Sequence, residues 1–260
     1  PVVDVTPERP LTTEDLADLW VHEAFGTYAE GLYTECLQGR DAGARYLRGL
    51  RGSVVNDGPI IPAYGVNAEG SGDMYMKGAN MLHTIRQIVD DDGRWRGVLR
   101  GLNESFRHSV VTGDEVRAYI SDRAGVELDL VFRQYLTTTD IPVLELRSGS
   151  GGVSYRWVDA VEGFDMPLDV RVGGDAGGGA GAGDGGSGAG DADARAPGDG
   201  NGAASEDFCT RINPRTTWRT LTGTDDPAEV AVDRDFYVLV RRPGSNGEPT
   251  TAPPRADCSG

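Results

Sequence analysis

The sequence predicts an α+β fold, with a helical lobe over residues 11–139 followed by a small β-sandwich over residues 140–242. Two observations predict it. Up to Thr139, apolar residues recur at the three-to-four spacing of amphipathic helices. From Ile141-Pro142 onward, VLELRS, VSYRWV, LDVRV, WRTL and DFYVLV alternate with the period of two that half-buried strands require, and several such short runs make a sandwich.

Thr12 or Thr13 is expected to cap the first helix, with Glu14 and Asp15 forming the acidic first turn that a helix N-terminus favours. At about 100° per residue, Leu16, Leu19, Trp20, Glu23, Ala24 and Thr27 share one side. Val21, Phe25, Tyr28 and Leu32 occupy most of the other, leaving Asp15, Asp18 and His22 for water. A helix apolar on both sides belongs in a core, so Glu23 is expected to point into a buried face. A carboxylate there needs a cation, a metal or a dense set of hydrogen-bond donors. Arginine or backbone donors are the commoner partners, and helical phase alone leaves the choice open.

A second helix follows over residues 40–54, with Ala44, Tyr46, Leu47 and Leu50 at helical spacing. Residues 56–72, rich in Gly, Pro and Asn, form a long loop, and long loops inside domains are often functional. Asp73 is expected to cap a helix over Met74–Val89, whose core stripe is Met81, Leu82, Ile85 and Ile88. Tyr75 then stands in the first turn. Without further information, Tyr64 and Tyr75 read as ordinary half-buried packing. Helices are expected again over Arg94–Arg107, from Gly113 or Asp114 to Ala124, and over Leu128–Leu136.

Within the strand region, residues 173–207 hold hardly any large side chain and are expected to be a disordered insertion. Their Gly/Asp content is similar to calcium-binding nonapeptide repeats, but GGSGAGDAD misses the required register. The Pro/Gly/Ser-rich tail over 243–260 is expected to fray.

Acidic residues outnumber basic ones by 41 to 25, a formal charge of −16. Such a chain is not expected to seek nucleic-acid phosphates or an anionic membrane surface. Lys77 is the single lysine, and this acid-rich, lysine-poor balance points to a high-salt, halophilic setting, where screening relieves self-repulsion. Cys36, Cys209 and Cys258 show neither disulfide-framework nor zinc spacing, so incidental thiols are expected. No apolar run is long enough for a transmembrane segment.

Two segments carry a family resemblance. LWVHEAFGTYAE, residues 19–30, resembles the helix that supplies the third zinc ligand in the gluzincin aminopeptidases, matching at Leu19, Trp20, Glu23, Phe25, Tyr28 and Glu30. GSGDMYMKGANMLHTIR, residues 70–86, resembles the Tyr-x-Lys-Gly segment whose tyrosine hydrogen-bonds the tetrahedral oxyanion. VEGFDMPLDV and VDRDFYVLV are similar, more loosely, to the β domain that follows in several bacterial members.

The resemblance implies the carboxy-terminal helical lobe of a thermolysin-like peptidase domain followed by a β-sandwich. It implies Glu23 as a zinc ligand, Tyr75 as the oxyanion donor, zinc as cofactor and peptides as substrates. The family's His-Glu-x-x-His motif has no counterpart. Family spacing places its second His at Asp4, and residues 1–10 read as an unrelated or mis-framed leader. His22, His83 and His108 have no partner four residues away, so the chain is expected to lack two of its metal ligands, and with them a separate amino-terminal lobe. Alone it is expected to be inactive. Two other readings are a non-catalytic binding protein derived from the same fold and a calcium-binding or adhesive sandwich with helices attached.

Overall fold

A computed structural model describes residues 11–173, 208–244 and 249–251 of the protein. The leader expected at 1–10, the insertion at 173–207 save Gly173, and most of the tail lie outside the described residues.

The described residues open on a strand, β1 (Leu11–Thr13), paired in parallel with β2 (Ser109–Val111). Thr12 and Thr13 therefore do not cap a helix. Asp15 caps instead, its carboxylate accepting from the Ala17 amide at 2.9 Å above a 3-10 turn over Leu16–Asp18. Helix α1 (Trp20–Gln38) starts only after that turn. Because the tighter turn shifts the helical phase, Asp18 is buried rather than facing water. It accepts from the Tyr64 hydroxyl and the Gly113 amide, both at 2.8 Å.

Helix α1 ends at Gly39, whose φ of 91° suits glycine, and α2 (Arg40–Gly49) folds back on it. Close approach depends on Gly43: a Cβ there would stand 2.7 Å from the Gly31 carbonyl oxygen. A 3-10 turn over Leu50–Ser53 completes the segment expected over 40–54.

Helix α3 (Met76–Val89) is the axis of the lobe and is buried almost all round. Its entry differs from expectation. Ser71, not Asp73, caps a 3-10 turn over Gly72–Met74. Asp73 turns inward and accepts from the Val55 and Asn56 amides at 2.9 and 2.6 Å, which pins the long loop to the helix start. Buried Arg86 is matched by bidentate contacts of 2.6 and 3.0 Å to Glu35 and of 2.8 and 2.9 Å to Asp92.

The lobe continues with α4 (Asp92–Phe106), capped by Asp91. Next come α5 (Gly113–Ala124), entered by a Thr112/Glu115 capping box and closed by Gly125 in the left-handed region, and α6 (Asp129–Thr137).

Beyond Pro142 the chain forms two sheets. Strands β3 (Val143–Gly149), β4 (Gly152–Val158), β7 (Arg219–Leu221), β9 (Leu239–Arg241) and β10 (Thr250–Thr251) build one, in the order β10-β9-β3-β4-β7. Strands β5 (Leu168–Val172), β6 (Phe208–Ile212) and β8 (Val230–Val232) build the other, with β5 central. Of DFYVLV only the end is strand: Phe236, Tyr237 and Val238 are buried in the turn that leads into β9.

The helices and both sheets share one apolar core. Polar bonds secure the seam. Arg51 donates to the Arg234 and Asp235 carbonyls at 2.8 and 3.2 Å, the Tyr237 amide donates to Thr84 at 2.9 Å, and Arg48 pairs with Asp235. Arg211 reaches the Gln87 and Ile88 carbonyls at the end of α3. Cys36 is a free, exposed thiol, whereas Cys209 is disulfide-bonded and so is not the incidental thiol expected. Among the described residues no helix is long and apolar enough to cross a membrane.

Candidate functional site

The site lies where α1 and α3 cross. Gly78 permits the crossing: a Cβ at that position would stand 2.7 Å from the Ala24 methyl. Ala24 adjoins Glu23, and Gly78 follows Tyr75 by one helical turn, so the contact draws both candidate side chains to one place.

Glu23 sits in the first turn of α1 and is half-buried, not enclosed as the helical pattern led one to expect. Its side of the helix opens into a groove of about 730 Å³ that it lines together with Tyr75. Among the described residues no arginine or other cation pairs with it. Tyr75 closes the 3-10 turn just before α3 and is 39% exposed. Its pKa is raised above the ordinary value by lost hydration, then by the negative charge of the nearby Glu23 carboxylate. The phenol therefore keeps its proton at neutral pH and remains a donor.

Further along the groove, two turns from Glu23 on the same helix face, stands Glu30, which accepts a hydrogen bond from the Tyr46 hydroxyl of α2. That bond raises the Tyr46 pKa. Sequence reasoning assigned no role to this pair. The seven-residue interval from Glu23 was a usable signal, but the partner comes from another helix.

The other candidates are elsewhere. Lys77, two residues past Tyr75, is fully buried and donates to the Thr138 carbonyl at 2.8 Å, tying α3 to the end of α6. Burial lowers its pKa to about 8. Tyr64 is tethered to Asp18 and does not line the groove. His83 is buried beside Asp235 at 3.3 Å and His108 is exposed. Among the described residues no three His, Cys, Asp or Glu side chains come together to hold a metal.

No family model and no curated protein matches the chain. Solved structures do. Legionella pneumophila aminopeptidase A, in complex with aspartic acid, superposes over 90% of this chain and 25% of its own, with a TM-score of 0.61 at 14% identity. At that identity the likeness is one of fold alone. A two-domain M1 zinc metallopeptidase bound to L-tryptophan aligns over 51% of this chain and 30% of its own, with a TM-score of 0.44 at 27% identity. An M1 zinc metallopeptidase from Deinococcus radiodurans aligns over 49% and 29%, with a TM-score of 0.42 at 26% identity. The chain thus spans between a quarter and three tenths of the length of these structures.

One observation fits zinc: a half-buried carboxylate without a cation partner among the described residues, next to a protonated phenol. By itself it amounts to one potential ligand, since among the described residues no further His, Cys, Asp or Glu side chains gather with it to complete a set.

Proposed function

We propose that this chain is the carboxy-terminal part of a zinc metallo-aminopeptidase that hydrolyses N-terminal residues from peptides. The helices up to Thr137 are its share of a thermolysin-like peptidase domain, and the strands from Val143 are the β-sandwich that follows. The observation that carries the reading is the meeting of Glu23 and Tyr75 in one groove, from segments that resemble the ligand helix and the oxyanion-donor segment of one family.

Glu23 would hold the metal together with two histidines supplied by an amino-terminal lobe outside this chain. When bound there, zinc supplies a Lewis acid and lowers the pKa of water. Tyr75, protonated at neutral pH, donates a hydrogen bond where negative charge develops on the scissile carbonyl oxygen. The position of Tyr75 beside the positive end of α3 adds to that stabilisation.

The test begins with the genomic DNA ahead of the codon for Pro1. A continuous or frame-shifted stretch encoding His-Glu-x-x-His defines the longer protein to express. In it, Tyr75→Phe is expected to lower kcat about 10²–10³-fold with little change in KM, as removal of one oxyanion donor does elsewhere. Glu23→Gln is expected to abolish stoichiometric zinc. The 260-residue chain alone is expected to show no turnover of an aminoacyl anilide and only weak zinc binding. Activity that survives Tyr75→Phe, or hydrolysis by the pure chain, defeats the reading. Absence of the motif upstream favours a non-catalytic binding protein.

A further inference from the structure

A second groove runs between α4 and α5 and shares no residue with the one beside Glu23. Its volume is about 460 Å³, within the range of small-molecule sites. Three guanidiniums line it, those of Arg94, Arg100 and Arg123, against one carboxylate, Glu104. In a chain with 41 acidic and 25 basic residues, an arginine is expected beside a carboxylate, as Arg86, Arg156 and Arg211 are. These three are placed differently. Among the described residues the Arg100 guanidinium has neither an ion pair nor a hydrogen bond, although Glu104 stands one helical turn away. Arg94 and Arg123 approach Asp91 and Asp122 only to 3.9 Å, with all four side chains at least half exposed, a geometry that neutralises little.

The packing of the two helices gathers these charges. Arg94, in the first turn of α4, donates to the Ala124 carbonyl at the end of α5 at 3.2 Å, which brings Arg94 and Arg123 to one end of the groove. The floor is kept low by glycine. A Cβ at Gly97 would meet nothing within 4 Å, and one at Gly101 would stand 2.3 Å from the Tyr119 hydroxyl oxygen. The Tyr119 ring is itself held edge-on by Phe106 at 5.4 Å and carries the Arg123 guanidinium over its face at 5.5 Å. The negative end of the α5 dipole accounts for a basic residue at 94 or 123. It does not account for Arg100, about 9 Å further along α4, because the dipole acts only over the last turn.

A tetrahedral dianion matches this lining. Guanidinium forks pair with phosphoryl oxygens, and the hydroxyls of Ser105 and Tyr119 are donors for those that remain. Three positive charges against one negative leave a balance of two for the ligand to neutralise. An acidic protein surface suits the groove less well, since a chain of formal charge −16 repels a large polyanion over its whole face and a small ion only until it enters.

We propose that the α4–α5 groove binds a phosphate dianion on Arg94, Arg100 and Arg123, either as the free ion or as the phosphoryl group of a small molecule. The site stands independently of the aminopeptidase reading.

The experiment titrates the purified 260-residue chain with inorganic phosphate and with phenyl phosphate at pH 8, where the dianions prevail, and follows amide shifts by NMR. A background of about 0.2 M KCl damps the long-range repulsion of the chain and spares contacts inside the groove. Saturable binding is expected, with shifts centred on α4 and α5. Arg100→Gln, an exposed substitution whose fold circular dichroism verifies, is expected to weaken it about tenfold through the loss of a charge-assisted pair. Arg96→Gln removes an exposed charge from the same helix outside the groove and is expected to leave binding unchanged. Tighter binding of phenyl phosphate identifies a phosphorylated small molecule as the occupant, and equal or tighter binding of inorganic phosphate identifies the free ion. The proposal is overturned by the absence of saturable binding, by equal affinity in the two variants, or by succinate or tetraglutamate binding at least as tightly as either phosphate.

Discussion

Lys77 shows how a single side chain reports on its surroundings. Its ammonium is enclosed, with the Thr138 carbonyl as hydrogen-bond acceptor and Asp73 and Asp140 acting at longer range. Desolvation outweighs these and brings the pKa down from 10.5 to about 8. Between those values the unfolded chain holds a proton that the folded chain has released, so stability rises with pH across that window. Below about 8 both states are charged and the penalty is constant. The slope from this one group approaches ~1.4 kcal/mol per pH unit. Urea midpoints at pH 7.5 and 9 are therefore expected to increase in the native chain and to stay level in Lys77→Met, which keeps the stem and removes the charge. The opposite trend sets in above the ordinary tyrosine pKa of 10.0, because burial holds Tyr28 and Tyr237 protonated up to about 12. A native profile that is flat from pH 7.5 to 9 contradicts the burial of this ammonium.

At the scale of elements, the crossing of α1 and α3 decides whether Glu23 and Tyr75 meet. Gly78→Ala brings a methyl into the space of the Ala24 side chain, and overpacking of this kind costs about 1–3 kcal/mol, more than the ~0.5–1 kcal/mol that alanine gains over glycine within a helix. The expected result is a less stable chain in which Tyr75 separates from Glu23 and its pKa falls back toward 10.0. Phenolate absorbance, with Tyr75→Phe as the subtracted reference, measures it, and an unchanged pKa in the alanine variant refutes the geometric account. The sequence disclosed the elements unevenly, for physical reasons. Helix α5 was legible to within one residue because its start and its Gly125 stop are local signals. The start of α1 was not, because Leu11–Thr13 pair with Ser109–Val111, and that pairing leaves no trace in neighbouring residues. Strands β6 and β8 escaped notice because five and three residues give little periodicity. Glu23 and Tyr75 were singled out by their motifs, and the structure brings them into one groove. The half-burial of Glu23 and the Glu30–Tyr46 bond were not, since both depend on how separate helices pack.

For the whole molecule the governing quantity is charge. A formal −16 is spread over a chain whose strongest ion pairs are already internal, as in Arg86 with Glu35 and Asp92 and Arg211 with Asp169. Salt acts differently on the two populations. Raising ionic strength from 0.1 to 1 M shortens the Debye length from about 10 to about 3 Å, which quenches repulsion among exposed carboxylates and barely touches a pair buried at contact distance. Screening should therefore favour the compact state, in which the carboxylates are crowded, over the expanded one, in which they are dilute. Thermal unfolding in 0.1, 0.5, 1 and 2 M KCl is expected to show a midpoint that climbs and then levels near 1 M. A climb of ~3 °C would correspond to about 1 kcal/mol for a chain of this length. A midpoint that holds steady or falls would mean that exposed ion pairs such as Arg40–Asp92 and Arg241–Asp159 outweigh the repulsion, and the high-salt setting inferred from composition would have no physical basis.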